Sequence, residues 1–299
     1  MFKVTLEDEF KKNPELKAED IEDVKAWLKS QPHLPPVPDL VIVLFLQACQ
    51  WDLDLTKKTI DIYYTCRTEY TEFFADRDPL SQEIQDIAKT HHVVYLPQRD
   101  PEGNQIIVTR TVDPDIKNYN FAALVKYYTM STEAFQLENG TVPGIVMVCD
   151  VDNFKASHFW CVPFKQAKNN MRYSQEAASF HIKAVHHINI HPLIHKMLQI
   201  LKPLLKAEVI ELIKMHSSIE TLFQSVPKEI MPKDYGGEAP TMEELNELNL
   251  QRIQKYQQYF KDEQKVVVDE SKRISKKAKQ SEDPEEEKGW WLLKKLSFK

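Results

Sequence analysis

The chain contains 299 residues, of which 42% are hydrophobic and 28% are charged, so it can bury a sizeable core in one large domain or two small ones. Its formal net charge of −6 does not favour nucleic acid or an anionic membrane as a partner of the whole protein. The longest apolar run, 40–49, is too short to span a bilayer and is typical of a buried helix.

The first segments of the chain predict a small bundle of helices. Residues 1–20 contain no signal-peptide pattern, and residues 14–30 have apolar side chains at helical spacing. A proline cluster at 32–39 ends that helix, and Asp39 is placed to cap the next one. Asp54 or Thr56 is placed to begin another helix, and the bundle is predicted to end near Asp78.

A change of periodicity then predicts a sheet. Residues 91–97 and 105–111 are strand-like and flank a turn at 99–104, and residues 120–138 are helical. The continuous apolar run at 145–150 is typical of a strand covered on both faces. Strands and helices alternate to about residue 216, with a strand ending near 188 and another at 209–216, which predicts a mostly parallel or mixed sheet with crossover helices.

The last part of the chain begins with a helix and ends in a polar tail. Thr241 and Glu244 form a capping-box pattern at the start of that helix. A basic block (272–279), an acidic block and an aromatic end follow, and Trp290, Trp291, Leu292 and Leu293 beside Lys294 and Lys295 suit a membrane-interface anchor. Packing of the same tail against the domain is the favoured alternative.

Two side-chain patterns suggest chemistry. Asp150 and Asp152 follow a strand in a DxD pattern that resembles the haloacid-dehalogenase phosphatases, but Phe154 replaces the usual Thr or Val. Five histidines cluster between 181 and 195 without an HExxH pattern, which favours a mixture of core and surface positions over a metal site. The four cysteines form no zinc or redox spacing, so we expect a reducing, cytoplasmic environment, no cofactor and no metal.

The order and spacing of segments from Gly144 to Gly237 resemble the CRAL-TRIO lipid-transfer family. These segments are a buried strand (144–150), a strand ending in HHIN (186–189), an apolar helix with LKPLL (201–205), VIELIKMH (209–216) and MPKDYGGE (231–238). The resemblance implies an α/β fold with an N-terminal helical bundle and a five-stranded sheet flanked by helices. It divides the chain into a helical region (1–78), a lipid-binding domain (79–245) and a C-terminal helix and tail (246–299).

The resemblance also implies a hydrophobic pocket with a sheet floor and a mobile helical gate at roughly 191–205. Strands 145–149 and 182–188 would form the floor, and helix 120–135 would form a wall. The pocket residues expected are Leu124, Tyr127, Ser131, Ile145, Met147, Cys149, Phe154, Phe180, Ile182, Val185 and His187. The gate residues expected are Leu193, Met197, Ile200, Leu201 and Leu204.

The chain departs from this family where the tocopherol-transfer proteins carry a basic, phosphoinositide-binding patch. The corresponding positions hold His181, Lys183, Glu208 and Leu212, so only His181 and Lys183 remain as possible headgroup contacts. We therefore expect phosphoinositide-dependent exchange to be weak or absent. The predicted function is non-enzymatic transfer of a retinoid, carotenoid, tocopherol or phospholipid, with transient membrane contact. A lipid-sensing scaffold that recruits a partner through its tail is the alternative, and a DxD phosphatase is the third reading.

Overall fold

The structure, a computed structural model, describes residues 2–274, except for the side chain of Leu193. These residues form the expected α/β fold, with a helical N-terminal region followed by a five-stranded mixed sheet that has helices on both faces. The predicted interface anchor at 290–295 and the acidic block lie outside the described residues.

Five helices form the N-terminal region, and local sequence explains their limits. Apolar side chains from α2, α3 and α4 pack into one cluster that includes Val24, Phe45 and Ile60. The expected caps are corrected: Pro38 precedes α3, and the Asp52 carboxylate caps α4 by accepting a hydrogen bond from the Leu55 amide at 2.9 Å. The helices are α1 (Leu6–Lys12), α2 (Ala18–Lys29), α3 (Asp39–Ala48), α4 (Leu53–Glu69) and α5 (Thr71–Phe74).

The sheet has its strands in chain order, β1-β2-β3-β4-β5. β1 and β2 form an antiparallel pair, whereas β3, β4 and β5 each run parallel to the preceding strand because a helical connection returns the chain to the same end. The strands are β1 (His91–Tyr95), β2 (Gln105–Thr111), β3 (Ile145–Asp150), β4 (Ile182–Ile188) and β5 (Ile213–Met215).

The remaining helices connect or cover these strands. Thr241 and Glu244 form the predicted capping box at the start of α13, which packs against β1 and α7. The helices are α6 (Gln82–Thr90), α7 (Phe121–Asn139), α8 (Ala156–Cys161), α9 (Phe164–Glu176), α10 (Pro192–Leu201), α11 (Ala207–Leu212), α12 (Ile219–Leu222), α13 (Met242–Lys255) and α14 (Gln257–Glu263). Short 3₁₀ turns lie at Ile116–Asn118, Lys202–Leu204, Lys228–Ile230, Lys233–Tyr235 and Glu270–Lys272.

One predicted strand is corrected by the structure. Residues 209–216 were expected to form a single strand, but the chain is helical up to Leu212 and only Ile213–Met215 pairs with β4. The pairing is short: only Val185, His186 and His187 of β4 lie opposite β5. β5 is therefore a short edge strand preceded by a helix.

Candidate functional site

A cavity lies between the sheet and the helices α7, α8, α9 and α10. It consists of two adjoining spaces of about 300 and 190 Å³, which we call the strand chamber and the helix chamber. Phe121, Val151, Phe154 and Asn170 line both chambers, so the two spaces are neighbours. Volumes of this size are typical of small-molecule sites in proteins.

The two chambers have different linings. The strand chamber is lined by residues from β1, β2, β3, α7 and α9, namely His91, His92, Val93, Thr109, Arg110, Thr111, Phe121, Leu124, Val125, Tyr128, Met147, Cys149, Asp150, Val151, Phe154, Asn170 and Ser174. The helix chamber is lined mainly by apolar residues, namely Tyr119, Phe121, Val151, Phe154, Phe159, Val162, Ala167, Asn170, Met171, His187, Ile194, Met197, Leu198 and Leu201.

Seven of the expected residues line these chambers. Strand alternation brings Met147 and Cys149 to the same face of β3, opposite Leu124 of α7. Phe154, in the loop after β3, separates and borders both spaces. His187, Met197 and Leu201 line the helix chamber.

Two expected wall residues of α7 face the other way. Tyr127 and Ser131 are fully buried against α13, where the Tyr127 hydroxyl donates to Asn246 at 2.9 Å and the Asn249 amide donates to Ser131 at 2.8 Å. The next residue after Tyr127, Tyr128, lines the strand chamber instead. Because successive helical residues are about 100° apart, a one-residue error in the choice of face removes both side chains from the cavity.

Four other expected pocket residues lie beside the cavity. Ile145 and Phe180 border a space of only about 10 Å³ between α3 and α7. Phe180 and Ile182 also line a groove of about 230 Å³ between α4, α9 and α11. Val185 is half-buried between Met147 and Ile213 in the sheet and is not a lining residue.

The predicted gate corresponds to α10 and the turn after it. Met197 is buried in an apolar cluster with Phe159 and Trp160 of α8, and Ile200 packs against the same cluster. Leu204 lies beyond the helix, where its carbonyl accepts a hydrogen bond from the Gln175 side chain at 3.0 Å. Leu193 lies on α10, and its side chain is outside the described part of the structure.

The two possible headgroup contacts line different spaces. His181 faces the groove beside α4 and lies 3.3 Å from the Gln50 amide. Lys183 is exposed on the opposite side of the sheet, because an irregularity between Ile145 and Val146 leaves Lys183 as an extra residue on β4. Burial and the charge of Lys183 lower the pKa of the His181 imidazole. The structure therefore does not join these residues into one basic patch.

Charged and titratable groups at the strand chamber are already neutral or paired. Burial lowers the pKa of both His91 and His92 to about 4, so both rings are uncharged at neutral pH. Arg110 makes an ion pair with Asp234 at 2.8 Å. In the helix chamber, burial likewise lowers the pKa of His187 to about 4.

Asp150 acts as a structural acceptor in this arrangement. Its carboxylate accepts hydrogen bonds from the Tyr235 hydroxyl at 2.8 Å, the Asn189 amide at 2.9 Å and the Asp152 backbone at 3.1 Å. Within residues 2–274, no group of three or more His, Cys, Asp and Glu side chains is arranged to hold a metal ion. Asp150 therefore ties the end of β3 to the segment that leads into α10.

The inner face of α9 was missed from the sequence. Ala167, Asn170, Met171 and Ser174 line the chambers and follow an i, i+3, i+4, i+7 pattern, which was visible in the sequence but contains two polar residues. No helix in the described part of the chain is long and apolar enough to cross a membrane.

Comparisons with known proteins match both parts of the chain. Residues 89–237 match the CRAL/TRIO domain, and residues 13–84 match the Pinta-like, UBA domain. The alpha-tocopherol transfer protein-like protein of Homo sapiens is 28% identical over 239 residues, covering 78% of this chain and 68% of that protein. Clavesin-2 of Mus musculus is 24% identical over 245 residues, covering 78% and 72%.

A solved structure shares the fold. The crystal structure of Sfh5 superposes with a TM-score of 0.52 at 12% sequence identity, covering 89% of this chain and 87% of Sfh5. The overall fold of this chain is thus already known in a solved protein.

Proposed function

Because the chain belongs to the CRAL-TRIO family, whose members bind small lipophilic molecules, we propose that it binds one hydrophobic ligand in the two chambers and transfers it between membranes. The observation that supports this most directly is the pair of adjoining chambers, of which the helix chamber is lined almost entirely by apolar side chains. An apolar ligand that enters it gains about 25 cal/mol for each Å² of surface removed from water.

Helix α10 is the proposed gate of this cavity. Its inner face contributes Ile194, Met197 and Leu201 to the lining, whereas His195 and Lys196 are exposed on its outer face. Displacement of α10 would therefore open the helix chamber without breaking a strand pairing. A membrane surface would supply the apolar environment that the exposed inner face of α10 requires during opening.

The segments on either side of α10 would allow such a displacement. Asn189, three residues before the helix, has a positive φ of 55°, and its amide donates to Asp150. Lys202 and Pro203 follow the helix and begin a tight 3₁₀ turn. The proposed gate is thus bounded by the bond from Asn189 to Asp150 at one end and by a proline-containing turn at the other.

Native mass spectrometry of the purified protein, followed by organic extraction and an absorbance spectrum, tests ligand binding. We expect one hydrophobic molecule per chain, and we expect the Leu124→Trp variant to lose at least tenfold in occupancy because the larger ring fills the strand chamber. Leu248→Trp is the matched control, since Leu248 is 53% exposed on α13.

Transfer itself is measured from donor to acceptor phospholipid vesicles with the extracted molecule. Equal occupancy of the wild type and Leu124→Trp would contradict the assignment of the cavity. Binding without transfer would instead favour a lipid-sensing protein, and an empty wild-type protein that takes up no lipid would contradict the proposal altogether.

A further inference from the structure

Asn170 occupies a distinctive position in the cavity. It lies on the inner face of α9 and lines both chambers, at the point where the two spaces meet. Ala167 and Met171, its neighbours on the same helix face, are apolar and line the helix chamber. A polar amide is therefore placed where the mainly apolar lining of the helix chamber meets the mixed lining of the strand chamber.

The amide of Asn170 is not used to hold the protein together. No side-chain hydrogen bond joins it to any other residue in the described range, whereas the adjacent Asn169 donates to Glu72 at 2.9 Å. An asparagine amide carries two donors and an acceptor, and because Asn170 is half-buried, a ligand that covers it would cut these groups off from water unless the ligand supplied a partner. A ligand with a hydrogen-bonding group would satisfy them.

The helix chamber offers nothing to balance a charged ligand. None of its described lining residues is Asp, Glu, Lys or Arg, and His187 is the only titratable base among them. The low pKa of His187 keeps its ring neutral at physiological pH. A buried carboxylate or phosphate would therefore lack a counter-ion, which carries a large desolvation cost.

At the strand chamber, the charged side chains are already engaged. Arg110 is paired with Asp234, and Asp150 accepts three hydrogen bonds from within the protein. Recruiting Arg110 to an anionic ligand would break its ion pair with Asp234. The polar groups that remain free for a ligand are uncharged.

We propose that Asn170 is the residue that recognises the polar end of the ligand, and that the ligand is an uncharged lipid with one hydroxyl or carbonyl group. This inference rests on the proposed function and narrows it, since it excludes phospholipids from the ligand classes considered above. The hydrocarbon part would fill the apolar surface on either side of Asn170, with the hydroxyl or carbonyl at the junction of the chambers.

The test uses phosphatidylcholine vesicles that contain equimolar retinol, retinoic acid, oleyl alcohol, oleic acid and squalene. The full-length protein is incubated with the vesicles and re-isolated, and the bound lipids are identified by mass spectrometry. The two alcohol and acid pairs differ only in the polar end, and squalene has none. We expect the wild type to retain an alcohol in at least tenfold excess over the matching acid and over phosphatidylcholine.

Three variants of α9 assign the effect to Asn170. Asn170→Leu is expected to bind the alcohol about tenfold more weakly, because it removes the amide that would bond the hydroxyl. Its melting temperature should not fall, because the amide makes no side-chain hydrogen bond to the described part of the protein. Asn170→Gln, which keeps the amide, is expected to restore part of the preference. Asn169→Leu, on the same helix as Asn170, is the control: it removes the bond to Glu72 of α5 and is expected to leave the alcohol-to-acid ratio unchanged.

The outcomes separate this inference from the function on which it rests. Retention of the acid or of phosphatidylcholine, or an unchanged alcohol-to-acid ratio in Asn170→Leu, would overturn the role of Asn170 while leaving lipid binding intact. Failure of the wild type to retain any of these lipids, or any tocopherol or carotenoid offered in the same way, would overturn the proposed function itself.

Discussion

Glu133 of α7 joins the N-terminal helical region to the rest of the molecule, and replacing it with glutamine should destabilise the fold strongly. Its carboxylate lies 2.6 Å from Arg67 of α4 and 2.8 Å from Arg77, which follows α5. The side chains of Glu133, Arg67 and Arg77 are only 8%, 4% and 0% exposed. Glu263 of α14 lies 3.3 Å from Arg67 and completes the cluster.

The magnitude follows from the burial of these charges. Burial raises the pKa of Glu133, but the nearby Arg67 and Arg77 outweigh this effect, so the pKa of Glu133 is lowered and the group remains ionised. In Glu133→Gln, two buried guanidinium groups would face each other with only the Glu263 carboxylate as a partner. Breaking a buried ion pair by removing one member costs about 3–5 kcal/mol. At roughly 2–4 °C per kcal/mol, this corresponds to a fall in melting temperature of about 10 °C.

Urea denaturation and calorimetry of Glu133→Gln measure this change. The control is Glu7→Gln, which removes the ion pair between Glu7 and Lys11, whose side chains are 77% and 69% exposed. We expect no measurable change in the control because both charges are solvated. A loss smaller than about 1 kcal/mol in Glu133→Gln would refute the view that this cluster holds the helical region in place.

Three further predictions concern pH, the gate and the membrane. Burial lowers the pKa of His92 from 6.5 to about 4, so the unfolded chain binds more protons than the folded chain between these pH values. The free energy of unfolding should therefore fall as pH drops from about 6.5 towards 4, by roughly 2 kcal/mol for this group at pH 5. Denaturation at pH 8 and pH 5 should show a correspondingly smaller loss of stability in His92→Gln. Asn189→Gly keeps the positive φ but removes the bond to Asp150, so stopped-flow experiments should show ligand release roughly tenfold faster; an unchanged rate would exclude this tether. Lys183→Ala should not alter sedimentation with phosphoinositide vesicles, and loss of saturable binding in this variant would contradict that expectation.

Strands that are buried on both faces were predictable to the residue. The sheet segments 105–111 and 145–150 match β2 and β3 because a run of apolar, β-branched residues between polar ends admits few alternatives. The same reasoning failed for 209–212, where Val209 and Ile210 suit a strand but have no partner strand to pair with. Pairing depends on residues far away in the sequence, and local composition does not record it.

Short helices that depend on tertiary contacts were the other omission. α1 was not predicted, since seven residues are too few for periodicity to show. The buried carboxylate of Glu9 holds this helix in place by accepting a hydrogen bond from the Thr141 amide, 132 residues away, at 3.1 Å. A buried glutamate on a short helix gives no sign of its role until the segment that binds it is known.

The face of α7 could not be predicted because nearly every residue from Ala123 to Leu137 is buried. A helix that is apolar on one side indicates which side faces the core, but one that is buried all round does not. The structure shows three separate partners for α7: the chamber contacts Leu124, α13 contacts Ser131, and the arginine cluster contacts Glu133. Sequence periodicity shows that all these positions are buried but does not show which partner each one contacts. For this reason Tyr127 was wrongly assigned to the pocket.

These three sets of contacts make α7 the element through which the helical region and the cavity act on each other. Glu133 fixes the helix from the side of α4, and Tyr127 fixes it from the side of α13, so the position of Leu124 and Tyr128 in the strand chamber is determined from both directions. A ligand that packs against Leu124 stabilises the folded state by mass action, and this stabilisation extends to every contact that depends on α7. Among the residues described, no N-terminal helix lines either chamber. The N-terminal helices are therefore coupled to the cavity through α7, which packs against them and also lines the strand chamber.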